Sequence, residues 1–294
     1  MRYFVALTFL FLTSALVFSQ TKLQYDLEKN SVFEIQQRAE QIITQELDGA
    51  THELNNVIDG ILEFKVLGEV DGTYEIALTF KDLNLKMTSS IQGELMNVKA
   101  KDTTKGDMQS KIFNSLLDNP VSLILAKTGD ILEVKGGDSL VAKMAQASGL
   151  EDDFSLNMMK ANLEKEFGSE ALSNNYKQMT FIYSPEAVQV GDSWQNEYMG
   201  KLNAKNTWML TELNKEKVDI SGTADVVMLV EEPATTMKLN GTQDTKIMAD
   251  LTTGFIQKMT VTGTSTGTST MAQMGDAEIP TTIKSTITYE LIKE

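Results

Sequence analysis

Apolar and polar residues alternate with period two through most of this chain, the mark of half-buried β-strands. Tyr74, Ile76, Leu78 and Phe80 alternate with Glu75, Ala77, Thr79 and Lys81. At Asp82 the phase slips, and Leu83, Leu85 and Met87 continue on the shifted register. One extra residue in a strand makes a β-bulge, and bulges bend sheets. Upstream, residues 60–70 read as a strand with apolar residues on both faces, and Asp71-Gly72 turns it into the next as a hairpin. Val32–Leu47 reads as another long strand, with 39–46 also compatible with a helix.

The period then changes. Met108, Ile112, Leu116 and Leu117 recur at helical spacing within 107–117, and Asn119-Pro120 ends the run. A strand at Val121–Ala126, a Thr128-Gly129-Asp130 turn and a strand at 131–134 follow. Residues 139–176 read as helical: Leu140, Met144 and Ala147 share one face up to Gly149, and Leu156, Met159, Leu163 and Phe167 share another up to Gly168. From 181 the β pattern returns, with strands expected at 188–199, 207–213, 218–230, 235–251, 255–269 and 281–292. The Thr- and Ser-rich stretch 260–270 is read as an exposed strand, because Thr favours extended backbone. Residues 128–134 and 253–259 echo each other faintly, as two ordinary hairpins would.

The expected fold is therefore mainly β, in the α+β class. Long antiparallel strands form a curved sheet or partial barrel, because many consecutive strands must curl or close to protect their edges. A helical insertion at 107–178 packs on its concave face, between β halves at 20–106 and 179–294 of a single domain, 20–294.

The first residues stand apart. Arg2 precedes an apolar run from Phe4 to Phe18, and Val17-Phe18-Ser19-Gln20 offers small residues for cleavage. Residues 1–19 are expected to be a signal peptide cut near Ser19/Gln20, which makes the protein exported, periplasmic or secreted. An uncleaved N-terminal anchor is the alternative. No second long apolar run follows, so no transmembrane segment is expected in the mature chain. With no cysteine, an exported chain can be neither lipidated at a cysteine nor held by disulfides. The net charge of −15 repels phosphates, which excludes nucleic acid as a partner.

The inventory of reactive groups is short. One histidine, His52, and no cysteine rule out a Cys/His zinc site within one chain. Gly137-Asp138-Ser139-Leu140 spells a serine-esterase signature, but no histidine lies downstream to act as base. Asp138 or Ser139 is read instead as a helix cap. Glu151-Asp152-Asp153 and Glu231-Glu232 offer oxygens to calcium without the spaced loop of an EF-hand, and solvated loop charge is the plainer reading. Met271 and Met274 have a spacing seen in copper(I) sites, although most of the 16 methionines fall on apolar faces. No metal or cofactor is assigned. Flexible methionines also suit a cavity that adapts to apolar ligands.

Several segments resemble an uncharacterised family of exported Bacteroidetes proteins, a domain of unknown function. They are the Ser-Gln ending of the export segment with Leu23-Gln24-Tyr25-Asp26-Leu27-Glu28-Lys29, Asn119-Pro120 before Thr128-Gly129-Asp130-Ile131, and Tyr183-Ser184-Pro185 before Val190-Gly191-Asp192-Ser193-Trp194. The resemblance implies a fold and carries no catalytic or binding residues. The expected layout is also similar to that of periplasmic lipoprotein carriers, at the level of architecture only.

The function expected is that of a non-enzymatic, extracytoplasmic binding protein for an apolar or lipid-like molecule held between sheet and helices. Its expected lining is Met144, Met158, Met159, Leu163 and Phe167 from the helices and Tyr74, Ile76, Leu78 and Phe80 from the facing strand. The alternatives are an envelope-assembly protein that binds protein partners through exposed strands, and a hydrolase.

Overall fold

The computed structural model describes residues 20–293 except 48, 103, 105–107, 233–234, 273–274 and 276. The expected signal peptide and Met274 lie outside the described residues. Twelve strands and four helices are described: β1 (Val32–Leu47), β2 (Ala50–Val70), β3 (Thr73–Ser89), β4 (Gly93–Lys99), α1 (Met108–Asn114), β5 (Val121–Ala126), β6 (Ile131–Lys135), α2 (Gly137–Ala147), α3 (Asp153–Phe167), α4 (Ser169–Thr180), β7 (Ser193–Tyr198), β8 (Leu202–Leu213), β9 (Lys217–Glu232), β10 (Thr235–Asp250), β11 (Ile256–Met271) and β12 (Ile279–Lys293). Among them no helix is long and apolar enough to cross a membrane.

All twelve strands join one antiparallel sheet, in the order β6-β5-β3-β2-β1-β12-β11-β10-β9-β8-β7, with β4 beside the far end of β3. β1 pairs with β12, so strands before and after the helices are continuous. The sheet is open, since β6 and β7 do not pair. It is also curled. Ten steps of about 4.8 Å would set its edges about 48 Å apart if flat. Yet α4, a helix of 12 residues and so about 18 Å long, packs against both β6 and β7. The helices therefore lie on the concave face, as the alternation predicted.

Local chemistry explains the departures from period two. In the β2–β3 ladder Ile61 faces Asp82 and Leu62 faces Phe80, so Lys81 is the extra residue of the bulge at the predicted phase slip. Asp71 and Gly72 both take positive φ, 51° and 78°, as a two-residue hairpin turn requires. The remaining differences have tertiary causes. β2 starts at Ala50, not 60, because β1 and β3 pair with it on both sides through Asn55 and Asn56, poor strand formers. For the same reason 39–46 is strand, not helix. β4 was not predicted: of its seven residues only Val98 is buried, so it carries no alternation to read. The strand expected at 188–199 shortens to β7, and residues 189–192 form a turn. Neither Asp138 nor Ser139 caps α2: Gly136 does, and both lie within the first turn.

The lead-in before β1 is part of the core. Leu23, Tyr25 and Leu27 are buried, and the echoing turns at 128–134 and 253–259 clasp this segment from two sides. Tyr25 N–H donates to Lys127 O at 2.9 Å, and Asp26 N–H donates to Thr253 O at 2.9 Å. Gly129 and Gly254 have φ of +92° and +68°. A Cβ on either would stand 1.7 Å from Thr180 O or 2.1 Å from Gln24 O, so both turns need glycine.

Aromatic rings tie this clasp to the helices. Phe255 stacks on Phe33 at 4.0 Å and meets Tyr25 and Phe64 edge-on. Phe64 meets Tyr176 of α4, and Tyr176 meets Phe80. Phe80 meets Phe167 at the end of α3, and Phe167 meets Phe113 of α1.

Candidate functional site

The helices fill only part of the concave face. Between the end of α3, the body of α4 and strands β12, β1, β2 and β3, an apolar groove of two adjoining compartments opens. The inner compartment, about 320 Å³, lies under α4. The outer, about 560 Å³, opens toward β4 and α1. They share Ala39, Ile58, Leu85, Glu166, Phe167 and Ile287. Each volume is in the range of ~300–1,000 Å³ typical of small-molecule sites.

Strand register lays the floor in three rows. The first crosses Tyr289, Gln37, Gly60 and Leu83; the second crosses Ile287, Ala39, Ile58 and Leu85; the third crosses Ser285, Gln41, Asn56, Met87 and Met96. Inward residues of β1 run Phe33, Ile35, Gln37, Ala39, Gln41, so bulky apolar side chains give way to a methyl group and two amides. Gly60 removes another side chain beside them. Space stays open there because nothing large enough to fill it projects from the floor.

The roof is held by aromatic contacts. Phe167 sits edge-on to Phe80 at 6.2 Å and to Phe113 at 6.0 Å. Leu172, Tyr176 and Gln178 of α4 close the inner compartment, and Gln178 Nε2 donates to Gln243 Oε1 at 3.3 Å. Burial raises the pKa of Tyr176 and Tyr289, so both line the compartment as neutral phenols at any physiological pH. Glu166, at the rim, is paired with Lys201. In the third row Asn56 Nδ2 donates to Gln41 Oε1 at 3.5 Å, while the buried Asn56 Oδ1 accepts no hydrogen bond.

Of the nine residues expected to line a cavity, the groove brings together Phe80 and Phe167. Tyr74, Ile76, Leu78 and Met144 are fully packed in the core, and Leu163 is buried with them. Tyr74 acts there as a polar anchor: its hydroxyl accepts from Leu27 N–H at 3.2 Å and donates to Tyr25 O at 3.3 Å. Met159 packs half-buried against that core. Met158 is 53% exposed. Sequence reasoning missed Ala39, Ile58, Leu85 and Ile287. The signal was the switch from large to small or polar residues in the inward phase of the strands.

The reactive groups fall elsewhere. His52 lies near the start of β2 with Nε2 3.0 Å from Ser89 Oγ. That hydroxyl also accepts from the backbone N–H of Ile91 and Gln92, capping the β3–β4 turn, and His52 Nδ1 has no hydrogen-bond partner. A serine–histidine pair with no acid behind the imidazole lacks the third member of a triad. Ser139 is exposed on α2. Asp152 caps α3, accepting from Ser155 N–H at 2.8 Å, and that bond lowers its pKa. Glu232 pairs with Lys165 at 3.3 Å. A polar cleft of about 630 Å³ between α3, α4 and Gly200 is bordered by charges of both signs.

No curated protein matches this chain. Among solved structures it is similar to one described as "lipid–protein interactions in lipovitellin", with a TM-score of 0.50 and 11% identity over 91% of this chain. The match covers 26% of the lipovitellin chain, so this protein spans about a quarter of that one's length. At that identity the likeness is one of fold alone. Residues 71–256 match the model described as "Family of unknown function (DUF6263)", and the chain belongs to that family.

Proposed function

We propose that this protein binds an apolar, lipid-like molecule in the groove between the concave sheet and α3–α4, and does so outside the cytoplasm. The observation that carries the reading is the open apolar floor of Ile287, Ala39, Ile58 and Leu85 beneath Phe167. Ile58 is 37% exposed there, and β-branched apolar side chains left facing an open cavity mark a ligand site. The fold shared with lipovitellin, a structure described for its lipid–protein interactions, supports the same reading. Export rests on the pattern of residues 1–19.

Binding here needs no reactive group. A chain threaded along the floor exchanges water contact for contact with Leu85, Met87, Met96 and Phe113, gaining roughly 0.8 kcal/mol per buried methylene. Methionines at positions 87 and 96 adapt to chains of different shape. The test is an organic extract of protein purified without detergent from its natural source, analysed by mass spectrometry. A stoichiometric aliphatic species supports the reading. Protein that carries none, and that also fails to take up a neutral fluorescent hydrocarbon probe, refutes it.

A further inference from the structure

We infer that the groove selects a neutral lipid whose head offers a hydroxyl or amide N–H, such as a long-chain alcohol, a monoacylglycerol or a fatty amide, over fatty acids and phospholipids. This rests on the groove being a ligand site, and it adds the chemistry of the head.

The third floor row is apolar at Met87 and Met96 and polar along the rest of its length. Ser285, Gln41 and Asn56 stand side by side on β12, β1 and β2. The bond from Asn56 to Gln41 uses one end of each amide. It leaves Asn56 Oδ1, a buried carbonyl oxygen, accepting nothing. Such an oxygen can be satisfied only by a donor, and leaving it empty costs about 1–3 kcal/mol. An alcohol or amide head supplies that donor. An ionised carboxylate supplies only acceptors, and a bare hydrocarbon supplies nothing.

Charge points the same way. Among the described lining residues of both compartments the one cation is Lys86. It alternates with Leu85 and Met87, so it lies on the opposite face of β3, where it pairs with Glu94 at 4.0 Å. The carboxylates around the groove are Asp82 and Glu166, while Glu40, in register with Val57 and Lys86, lies with Lys86 on the opposite face. Glu40 accepts from Asn55 Nδ2, Asp82 pairs with Lys101, and Glu166 pairs with Lys201. An anionic head would enter a site with no free cation among its described lining residues, in a protein of net charge −15. Burying a charge without a partner is far costlier than burying a hydrogen-bonded hydroxyl.

The experiment is competition against the neutral probe N-phenyl-1-naphthylamine on the full-length protein freed of lipid. Oleyl alcohol and oleamide are compared with 1-octadecene and with oleate at about pH 8, where oleate is ionised. The alcohol and the amide are expected to displace the probe at about tenfold lower concentration than the alkene or oleate. Asn56→Leu is expected to shrink the alcohol's advantage over the alkene to about twofold or less while the probe still binds. Asn56→Val, which removes the same carbonyl oxygen with a side chain that favours extended backbone, serves the same end if the first variant does not fold. A wild-type protein that prefers oleate, or treats alcohol and alkene alike, overturns the inference while probe binding leaves the groove standing. Discrimination that survives both substitutions also overturns it. Failure of the probe itself to bind overturns the groove and the inference together.

Discussion

Burial opposes the ionisation of five tyrosines, Tyr25, Tyr176, Tyr183, Tyr198 and Tyr289, and raises the pKa of each. Their folded-state values lie above the unfolded value near 10, so below about pH 10 both states hold neutral phenols and folding is unaffected. As pH rises past that point the unfolded state loses protons that the folded state keeps. Each tyrosine then withdraws up to about 1.4 kcal/mol per pH unit. The expected outcome is one steep alkaline transition above about pH 10, in which tyrosinate absorbance and loss of far-ultraviolet circular dichroism coincide. Gradual ionisation with the fold intact would contradict the burial of these rings. Tyr74→Phe tests the core anchor separately. Losing its contacts to Leu27 and Tyr25 is expected to cost about 1–2 kcal/mol in denaturant unfolding. Tyr74, Ile76 and Leu78 also show what the sequence conceals. Alternation tells which side chains face inward, but not whether a helix packs down on them. Here the core does, and the hollow lies further along the strands, at Ala39 and Gly60.

At the scale of elements, sequence pattern was most legible where one face of a strand is buried and the other wet. The β3 bulge, the β5–β6 hairpin and the helical character of 139–176 all follow from such contrast. β4 and the first half of β2 did not, because pairing on the sheet holds them without a hydrophobic stripe of their own. The faint echo between 128–134 and 253–259 acquires a physical basis. Each turn carries a glycine at positive φ, pressed against a backbone oxygen, and together they grip residues 24–26. Gly129→Ala and Gly254→Ala are each expected to cost about 2–3 kcal/mol, through strain at positive φ and backbone overlap. Thermal unfolding measures this. The control Gly149→Ala, also at positive φ but with nothing within 4 Å of the added carbon, should cost less. Equal losses at all three positions would show that φ alone matters and that the clasp does not.

The whole molecule is an open sheet curled around helices too few to fill it. α4 spans the two edges, the aromatic series from Tyr25 to Phe113 fixes one side, and the groove occupies the stretch of concave face that the helices leave bare. Ala39 sits at its centre, shared by both compartments and flanked by Ile58 and Ile287 in register. A large ring placed there fills open space and breaks no contact that the core relies on. The direct test is therefore titration of wild-type protein and Ala39→Trp with N-phenyl-1-naphthylamine, alongside their melting temperatures. The groove as a ligand site predicts saturable fluorescence enhancement in the wild type, at least about tenfold weaker binding in the variant, and similar melting for both. No saturable binding by the wild type, or equal binding by the two proteins, would contradict it.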